Sequence, residues 1–232
     1  MRLAARSPLL AAGLGLTLVI GLAGCFTGER ASIDPNQSKP DVTEAPIDTA
    51  PTVSGPSGPQ TAASLATLFG KPATGPETAT FELRPTTQSE PITAVVTRDA
   101  TRTVVSIRDV QYRSDENGPS TCRRTTKVCT RGFNAQPVSD LNITAQFWGP
   151  SVRQELRSPT LASRIGPVKT SNETLAGQAA LCIDVPGPQV TDRYCALSTG
   201  MLAQKTTARV VITLVAYAAT FDETLWSEFP TD

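Results

Sequence analysis

Histidine is absent from the whole 232-residue chain. Its absence excludes Ser-His-Asp and Cys-His catalytic arrangements and every zinc site that needs an imidazole ligand. A surplus of either charge is also missing, because 21 lysines and arginines balance 21 aspartates and glutamates. The sequence therefore gives no electrostatic reason to expect a nucleic acid or an anionic membrane surface as a partner. Carboxylate or Ser-Lys chemistry stays open, but no spacing signals it, so we predict a non-catalytic protein without a metal or other cofactor.

An uncharged apolar run lies near the start of the sequence, from residue 9 to residue 20, after two arginines and before Leu22-Ala23-Gly24. This pattern is typical of a secretory signal, and the run is too short for a stable transmembrane helix. Leu22 to Cys25 resembles the bacterial lipobox, which implies acylation of Cys25 and cleavage before it. We predict a signal peptide over 1–24 and a lipid anchor at Cys25 on the extracytoplasmic side of the cell membrane. The alternative is an ordinary signal with an incidental cysteine.

The segment from residue 26 to residue 60 has scarcely an aliphatic side chain, and six prolines recur in it among Thr, Ser, Asp and Gly. Such a segment cannot offset the entropy cost of ordering, so we predict a solvated tether over 25–60. At about 3.1 Å per residue in a polyproline-like conformation, it would reach roughly 100 Å. The tether is expected to act as a spacer for a single domain over 61–232, with unstructured filler as the alternative.

Beyond the tether, apolar residues recur mainly at every second position, which predicts a sheet with few helices. Helices are expected at 62–69 and as two short pieces within 149–167, and strands at 78–84, 92–98, 103–113, 168–175, 179–185, 192–198 and 208–219. Within 103–113 the apolar phase changes between Ile107 and Val110, which predicts a bulge that bends the sheet. The last strand is apolar on both faces, so it is expected to be central or covered on both sides.

Four cysteines remain after the anchor is assigned: Cys122, Cys129, Cys182 and Cys195. Their gaps of six and twelve residues, without histidine, fit a zinc site poorly, whereas export favours disulfide bonds. Three pairings are possible. We favour Cys122–Cys129 and Cys182–Cys195 because each pair would join opposite arms of a local hairpin. Reduced, buried thiols are the alternative.

The stretch "ETLAGQAALCIDVPGPQVTDRYCALSTGMLAQ", followed by "VVITLVAYAATFDETLWSEFP", resembles a C-terminal signature of envelope lipoproteins from high-GC Gram-positive bacteria. That family is related to LolA-like carriers and to mycobacterial lipid-binding lipoproteins. The resemblance lies in Ala176-Gly177 to Cys182, in Tyr194-Cys195 and in Gly200 to Leu202. It implies an α+β fold, in which a curved, mostly antiparallel half-barrel carries a few short helices on its concave side and encloses an apolar cavity for acyl chains.

Two functions follow from these expectations. The resemblance implies a non-catalytic carrier or sensor of a hydrophobic, lipid-like ligand, whereas the tether also suits an interaction module that supports another cell-envelope protein. A deep aliphatic cavity would favour the carrier, and a filled core with an exposed apolar patch would favour the module. No ligand-binding residue is assigned, although Trp148, Phe221, Trp226 and Phe229 are candidates either for a pocket wall or for plain core.

Overall fold

Antiparallel strands build one open sheet of eleven strands in the computed structural model, which describes residues 61–158, 161, 168–187 and 190–229. The strands are β1 (Glu77–Pro85), β2 (Ile92–Arg98), β3 (Thr103–Ile107), β4 (Val110–Asp115), β5 (Gly118–Arg123), β6 (Val128–Arg131), β7 (Lys169–Leu175), β8 (Gln178–Pro186), β9 (Thr191–Leu197), β10 (Leu202–Thr206) and β11 (Val210–Ala218). The predicted signal peptide, Cys25 and the tether to residue 60 lie outside the described residues.

The strand order is β6-β5-β4-β3-β2-β1-β11-β10-β9-β8-β7. Two meanders, β1 to β6 and β7 to β11, are therefore joined where the first strand pairs with the last. The sheet is open and curved and carries a few short helices, which confirms the predicted α+β half-barrel. Sequential antiparallel pairing of this kind needs only short connections, in keeping with the turn signals between the strands.

Short helices accompany the sheet: α1 (Ala62–Leu68), a 3-10 helix (Gln136–Leu141), α2 (Pro150–Leu156) and α3 (Glu223–Ser227). A capping box starts α1, because Thr61 and Ser64 each accept a hydrogen bond from the backbone N–H of the other. None of the helices that the structure describes is long and apolar enough to cross a membrane. Most of the second helix predicted within 149–167 falls on residues that are not described.

The segment 103–113 was expected to be one bulged strand, and this prediction was wrong. Ile107 pairs directly with Val110, so the chain reverses through Arg108 and Asp109 and forms the β3–β4 hairpin. Arg108 adopts a φ of +52°, the left-handed conformation that two-residue hairpin turns require. The reversal explains the change of apolar phase. A register shift occurs instead between β1 and β11, next to Val215.

The inner face of the sheet, defined here as the face that carries α1, the 3-10 helix and α2, holds the main hydrophobic core. Alternate residues of β1 point into it: Ala79, Phe81 and Leu83 are fully buried. The ring of Phe147, from the segment before α2, meets Phe81 edge to face at a centroid distance of 5.2 Å. Leu65 of α1 is fully buried in the same cluster. This periodicity of two is the one that the sequence predicts.

The outer face of β3 to β5 is covered by the C-terminal segment, which comprises residues 221–229 and includes α3. Gln111 and Arg113 point to this face, because side chains alternate along a strand and the neighbouring Val110 and Tyr112 lie in the inner core. Gln111 Nε2 donates to the Leu225 carbonyl at 2.9 Å. Arg113 donates to the carbonyl of Phe229. The segment is thus attached through buried polar groups.

β11 lies at the centre of the sheet, as predicted, between β1 and β10. Its inner residues Val210, Ile212 and Leu214 are buried. On the other side the described residues leave the strand open, since Val215 is 50% exposed and Ala216 and Ala218 are also exposed. The apolar character of both faces therefore does not mean that both are covered.

The two edges of the sheet are polar and short of apolar side chains. β6 has four residues and exposes all of them. β7 reads Lys-Thr-Ser-Asn-Glu-Thr-Leu and is largely exposed. Arg193 of β9 fastens this edge by pairing with Glu173 of β7 and Asp184 of β8. The bond from Arg193 holds the pKa of Glu173 below its ordinary value.

Candidate binding clefts

The interior between the sheet and the helices is filled by side chains. Leu65, Phe81, Leu141 and Met201 are fully buried there, and Val152 of α2 is 1% exposed. The larger clefts that the described residues line are open to solvent and have mixed polar and apolar walls. None of these clefts is the deep aliphatic cavity that the resemblance implies. Candidate binding sites lie at the surface.

The first of these, here called the α2–β10 cleft, lies between α2, the loop after the 3-10 helix and the turn from β10 to β11. It has a volume of about 680 Å³. A recess of about 420 Å³ continues from it and reaches Phe147 and Ile212. The two share five lining residues: Asn142, Ile143, Thr144, Glu155 and Lys205.

A polar network closes the wall of the α2–β10 cleft. The two carboxylate oxygens of Glu155 accept hydrogen bonds from the Tyr194 hydroxyl at 2.8 Å and from Lys205 Nζ at 2.5 Å. Tyr194 is fully buried, and Glu155 and Lys205 are partly buried. Because both oxygens of Glu155 are engaged, the network fastens α2 to β9 and β10.

The second site, here called the cationic cleft, lies on the other side of α2 and has a volume of about 580 Å³. Its walls are the end of α1, the β2–β3 turn and α2, and Gln154 lines both this cleft and the recess. The lining residues are Phe69, Gly70, Lys71, Pro72, Ala73, Arg98, Asp99, Ala100, Thr103, Trp148, Pro150, Arg153, Gln154 and Arg157. Four of them are basic and one is acidic.

A buried ion pair forms the floor of the cationic cleft. Arg98 is 4% exposed and pairs with Glu77, which is 2% exposed. The Arg98 guanidinium also donates to the Thr199 carbonyl at 2.8 Å and lies 4.7 Å from the centre of the Trp148 ring. Glu77 accepts a further bond from the Tyr217 hydroxyl at 2.9 Å. Burial, followed by the neighbouring Glu77 carboxylate, raises the pKa of Tyr217 to about 12.

Three glycines bring the walls of the cationic cleft close together. A Cβ at Gly200, where φ is +84°, would lie 2.6 Å from the Leu68 carbonyl oxygen at the end of α1. A Cβ at Gly149, just before α2, would lie 3.3 Å from the Gly200 oxygen. A Cβ at Gly70 would lie 2.6 Å from Cζ of Arg153. The close approach of α1, α2 and the β9–β10 turn thus depends on missing side chains.

The C-terminal segment forms a third charged surface, on the outer face. Arg102 pairs with Glu223 at 2.9 Å and lies 4.1 Å from the centre of the Phe221 ring. Arg113 lies 4.1 Å from the Trp226 ring, and burial lowers the pKa of this guanidinium. Arg124 makes a bidentate contact with Glu228, in which Nε donates to Oε1 and Nη2 donates to Oε2. Bonds from Arg124, and then from Lys127, lower the pKa of Glu228.

The four cysteines predicted to form disulfide bonds lie in two hairpins of the sheet. Disulfide bonds join Cys122 to Cys129 across β5 and β6, and Cys182 to Cys195 across β8 and β9. Both link directly paired positions of a hairpin, and they are the two pairs favoured from the sequence. No group of three or more possible Cys, Asp or Glu metal ligands occurs in the described part of the chain.

The four aromatic candidates do not share one pocket. Trp148 is 8% exposed and lines the cationic cleft. The other three, Phe221, Trp226 and Phe229, belong to the C-terminal segment and contact cationic side chains of the outer face. Sequence reasoning missed Glu155, Lys205 and Arg153, because their partners are far away in the chain and single charged residues on helices and strands carry no local signal.

Comparisons with known proteins give likenesses of fold. No protein-family model matches the chain, and no curated protein matches it by sequence. A crystal structure of MucB has 14% identity and a TM-score of 0.41, covering 71% of this chain and 62% of the MucB chain. MucB in complex with MucA(peri) has 10% identity and a TM-score of 0.39, covering 69% of this chain and 56% of that chain. The Pseudomonas aeruginosa MucA/MucB complex has 15% identity and a TM-score of 0.35. The chain spans about three fifths of the MucB chains that it matches.

Proposed function

We propose that this chain is a lipid-anchored, non-catalytic interaction module of the cell envelope, held by Cys25 and its tether, which supports another envelope protein through the surface around α2. The filled interior carries this proposal. A carrier of acyl chains needs an apolar cavity of several hundred Å³. Here the Phe81 and Phe147 rings meet in that space at 5.2 Å.

The surface around α2 suits recognition of a macromolecule. Two open clefts of about 680 and 580 Å³ flank the helix, and exposed Gln154 lies on the ridge that separates the cationic cleft from the recess. The walls are held together, because the Glu155 network fastens α2 to the sheet and the glycines allow α2 to approach α1 closely. Preorganised walls with polar and aromatic groups bind a partner without a large ordering cost.

The predicted anchor and tether place such a module well. A tether of roughly 100 Å, estimated for an extended polyproline-like chain, lets an anchored domain search for a partner near the same membrane. Confinement to one surface raises the effective concentration of both proteins, so a modest affinity is sufficient. The lipid at Cys25 thus serves encounter and needs no role at the binding surface.

The test is site-specific photocrosslinking in the producing cell. A photoreactive side chain at Gln154 is expected to give a discrete adduct with another envelope protein. The matched control carries the same group at Val215, which is 50% exposed on the outer face of β11. Adducts of equal yield at both positions, or none at Gln154, would contradict the proposal.

The recess behind the α2–β10 cleft favours a second candidate, the carrier of a lipid-like ligand. It reaches the apolar side chains of Phe147 and Ile212 and has a volume of about 420 Å³. Mass spectrometry of the secreted chain without its anchor distinguishes the two functions. Stoichiometric lipid that is lost in Ile212→Trp, which fills the recess, would support the carrier, whereas a lipid-free protein that still gives the Gln154 adduct would exclude it.

A further inference from the structure

We infer that the cationic cleft binds an acidic peptide segment of the partner protein, with carboxylates placed against Lys71, Arg153 and Arg157. This inference rests on the proposed function and specifies the chemistry of the partner. All three cations line the cleft. Lys71 follows the end of α1, whereas Arg153 lies in α2 and Arg157 caps it. The inference follows from their charge balance, their free hydrogen-bonding capacity and the apolar floor between them.

The charge balance of the cleft is uneven. The deepest cation, Arg98, is neutralised by Glu77. The one acidic residue of the lining, Asp99, is engaged with Arg102 at 2.7 Å and also accepts from the backbone N–H of Thr101. No ion pair between described residues involves Lys71, Arg153 or Arg157. Among the described residues, these three positive charges have no counter-charge, although the formal net charge of the chain is zero.

Arg153 has hydrogen-bonding capacity that the protein does not use. Its Nε is buried and has no hydrogen-bond partner. The guanidinium lies against Gly70, where a Cβ would come within 2.6 to 2.8 Å of its atoms. Arginine binds carboxylates through two parallel N–H donors, and burial of an unpaired donor is unfavourable. A carboxylate that enters the cleft would satisfy this side chain.

The distribution of charge favours a peptide over a compact anion such as phosphate. The floor holds the Trp148 ring and the neutralised Arg98, so a multiply charged group gains little by binding deeply. The free cations lie on two sides of this floor, Lys71 after α1 and Arg153 and Arg157 on α2, and Phe69, Pro72 and Pro150 add apolar walls. An extended segment with spaced carboxylates and an apolar side chain between them matches this pattern. The volume of about 580 Å³ lies within the usual range of binding sites.

The experiment measures binding of a labelled acidic peptide to the full mature chain, with its lipid, in neutral detergent micelles. The probe is a fluorescein-labelled octapeptide of alternating Glu and Val, and the peptide of alternating Lys and Val is its counterpart. Fluorescence anisotropy at low ionic strength is expected to show binding of the acidic peptide alone. Affinity should fall with added salt, because Lys71 and Arg157 are exposed and their charges are screened.

Two sets of variants locate the site. The triple variant Lys71→Gln, Arg153→Gln, Arg157→Gln is expected to weaken binding by more than about tenfold, while Arg131→Gln on the exposed strand β6 leaves it unchanged. Gly70→Ala should weaken binding as Arg153→Gln does, because the added methyl displaces the guanidinium. Gly75→Ala has open space around its Cβ and is the control. Circular dichroism checks that each variant is folded.

The outcomes separate this inference from the proposed function. Equal affinity of the acidic peptide for the native chain and the triple variant would overturn the inference. Binding of inorganic phosphate, or of vesicles with phosphatidylglycerol, without binding of the peptide would overturn it too. If the triple variant no longer binds the peptide but still gives the Gln154 adduct, the interaction module stands and the acidic nature of its partner does not. Loss of the adduct in the triple variant, together with loss of peptide binding, supports both.

Discussion

The two faces of the sheet hold their coverings by different forces. On the inner face, aliphatic and aromatic side chains of β1 and β2 pack against α1, the 3-10 helix and α2. On the outer face, the C-terminal segment is held by ion pairs, by rings stacked on guanidinium groups and by bonds from Gln111 and Arg113. Salt screens partly exposed ion pairs, whereas the burial of apolar surface involves no charges that salt could screen. One fold thus combines a permanent core with a covering that responds to conditions.

The largest effect is expected from Phe81→Ala in the inner core. Phe81 is fully buried and contacts Phe147, so truncation leaves a cavity and should lower the free energy of unfolding by about 3 to 5 kcal/mol. Urea denaturation measures the change. Val215→Ala on the outer side of β11 is the control, with an expected change within about 0.5 kcal/mol. Similar losses at both positions would show that the two faces are not different.

Glu77→Gln tests the buried ion pair between Glu77 and Arg98, which is the charged part of the otherwise apolar inner face. The substitution leaves the Arg98 guanidinium buried without its counter-charge, and breaking such a pair costs about 3 to 5 kcal/mol. It should also lower the pKa of Tyr217 from about 12 towards its ordinary value, because the carboxylate is one cause of the increase. Ultraviolet absorbance of the tyrosinate follows this titration. A pKa that stays near 12 would assign the whole increase to burial.

The two disulfide bonds sharpen the comparison. Cys182–Cys195 is fully buried and closes a separation of 13 residues, whereas Cys122–Cys129 closes 7 and includes an exposed cysteine. Loop entropy predicts losses of about 3 and about 2.5 kcal/mol for the paired alanine variants. The measured difference in unfolding free energy should exceed the loop estimate, because Cys182 and Cys195 also fill buried volume. Denaturant midpoints of the two variants, each with matched reduced wild type, check this order.

Glu228→Gln should have the smallest effect and should act on the C-terminal segment alone. The pKa of Glu228 is lowered by Arg124, so its contribution is complete above the ordinary glutamate pKa of about 4.3 and is lost as the pH falls through the lowered value. At neutral pH the substitution should cost about 1 kcal/mol or less. Limited proteolysis of the segment measures it, and Glu82→Gln, in an exposed pair with Arg84, is the control. Unchanged proteolysis at low pH in the native chain would contradict this account.

Local pattern predicted much of the sheet. Alternating apolar residues placed β1, β2, β8, β9 and β11 within a few positions, because each has a buried face. The short strands β5, β6 and β10 were not predicted as strands, since sequences such as "GPSTCR" and "VCTR" have no apolar alternation. β5 and β6 were anticipated only as the arms of the hairpin around Cys122–Cys129. The β3–β4 turn was missed because Arg108-Asp109 lacks the glycine or asparagine of typical tight hairpins.

The clefts were beyond the reach of sequence pattern. Periodicity tells which side of an element is buried, but it does not tell which elements become neighbours in space. Glu155 meets Tyr194 and Lys205 only because α2 packs across β9 and β10, at separations of 39 and 50 residues. Likewise, the glycines at 70, 149 and 200 are separate in the sequence, and only the folded structure shows that all three allow close approach around one cleft. Signals of this kind require long-range contacts that one sequence does not display.

The two polar edges of the sheet affect how copies of this protein meet at high local concentration. Among the described residues, β6 and β7 have no strand on their outer side, and edges of this kind invite a second copy to add its own strands. β6 opposes this by being four residues long and tied to β5 by a disulfide, and β7 opposes it with Lys169 and the Glu173–Arg193 cluster. At high local concentration, the edges should therefore disfavour the addition of strands from a second copy and the growth of fibres.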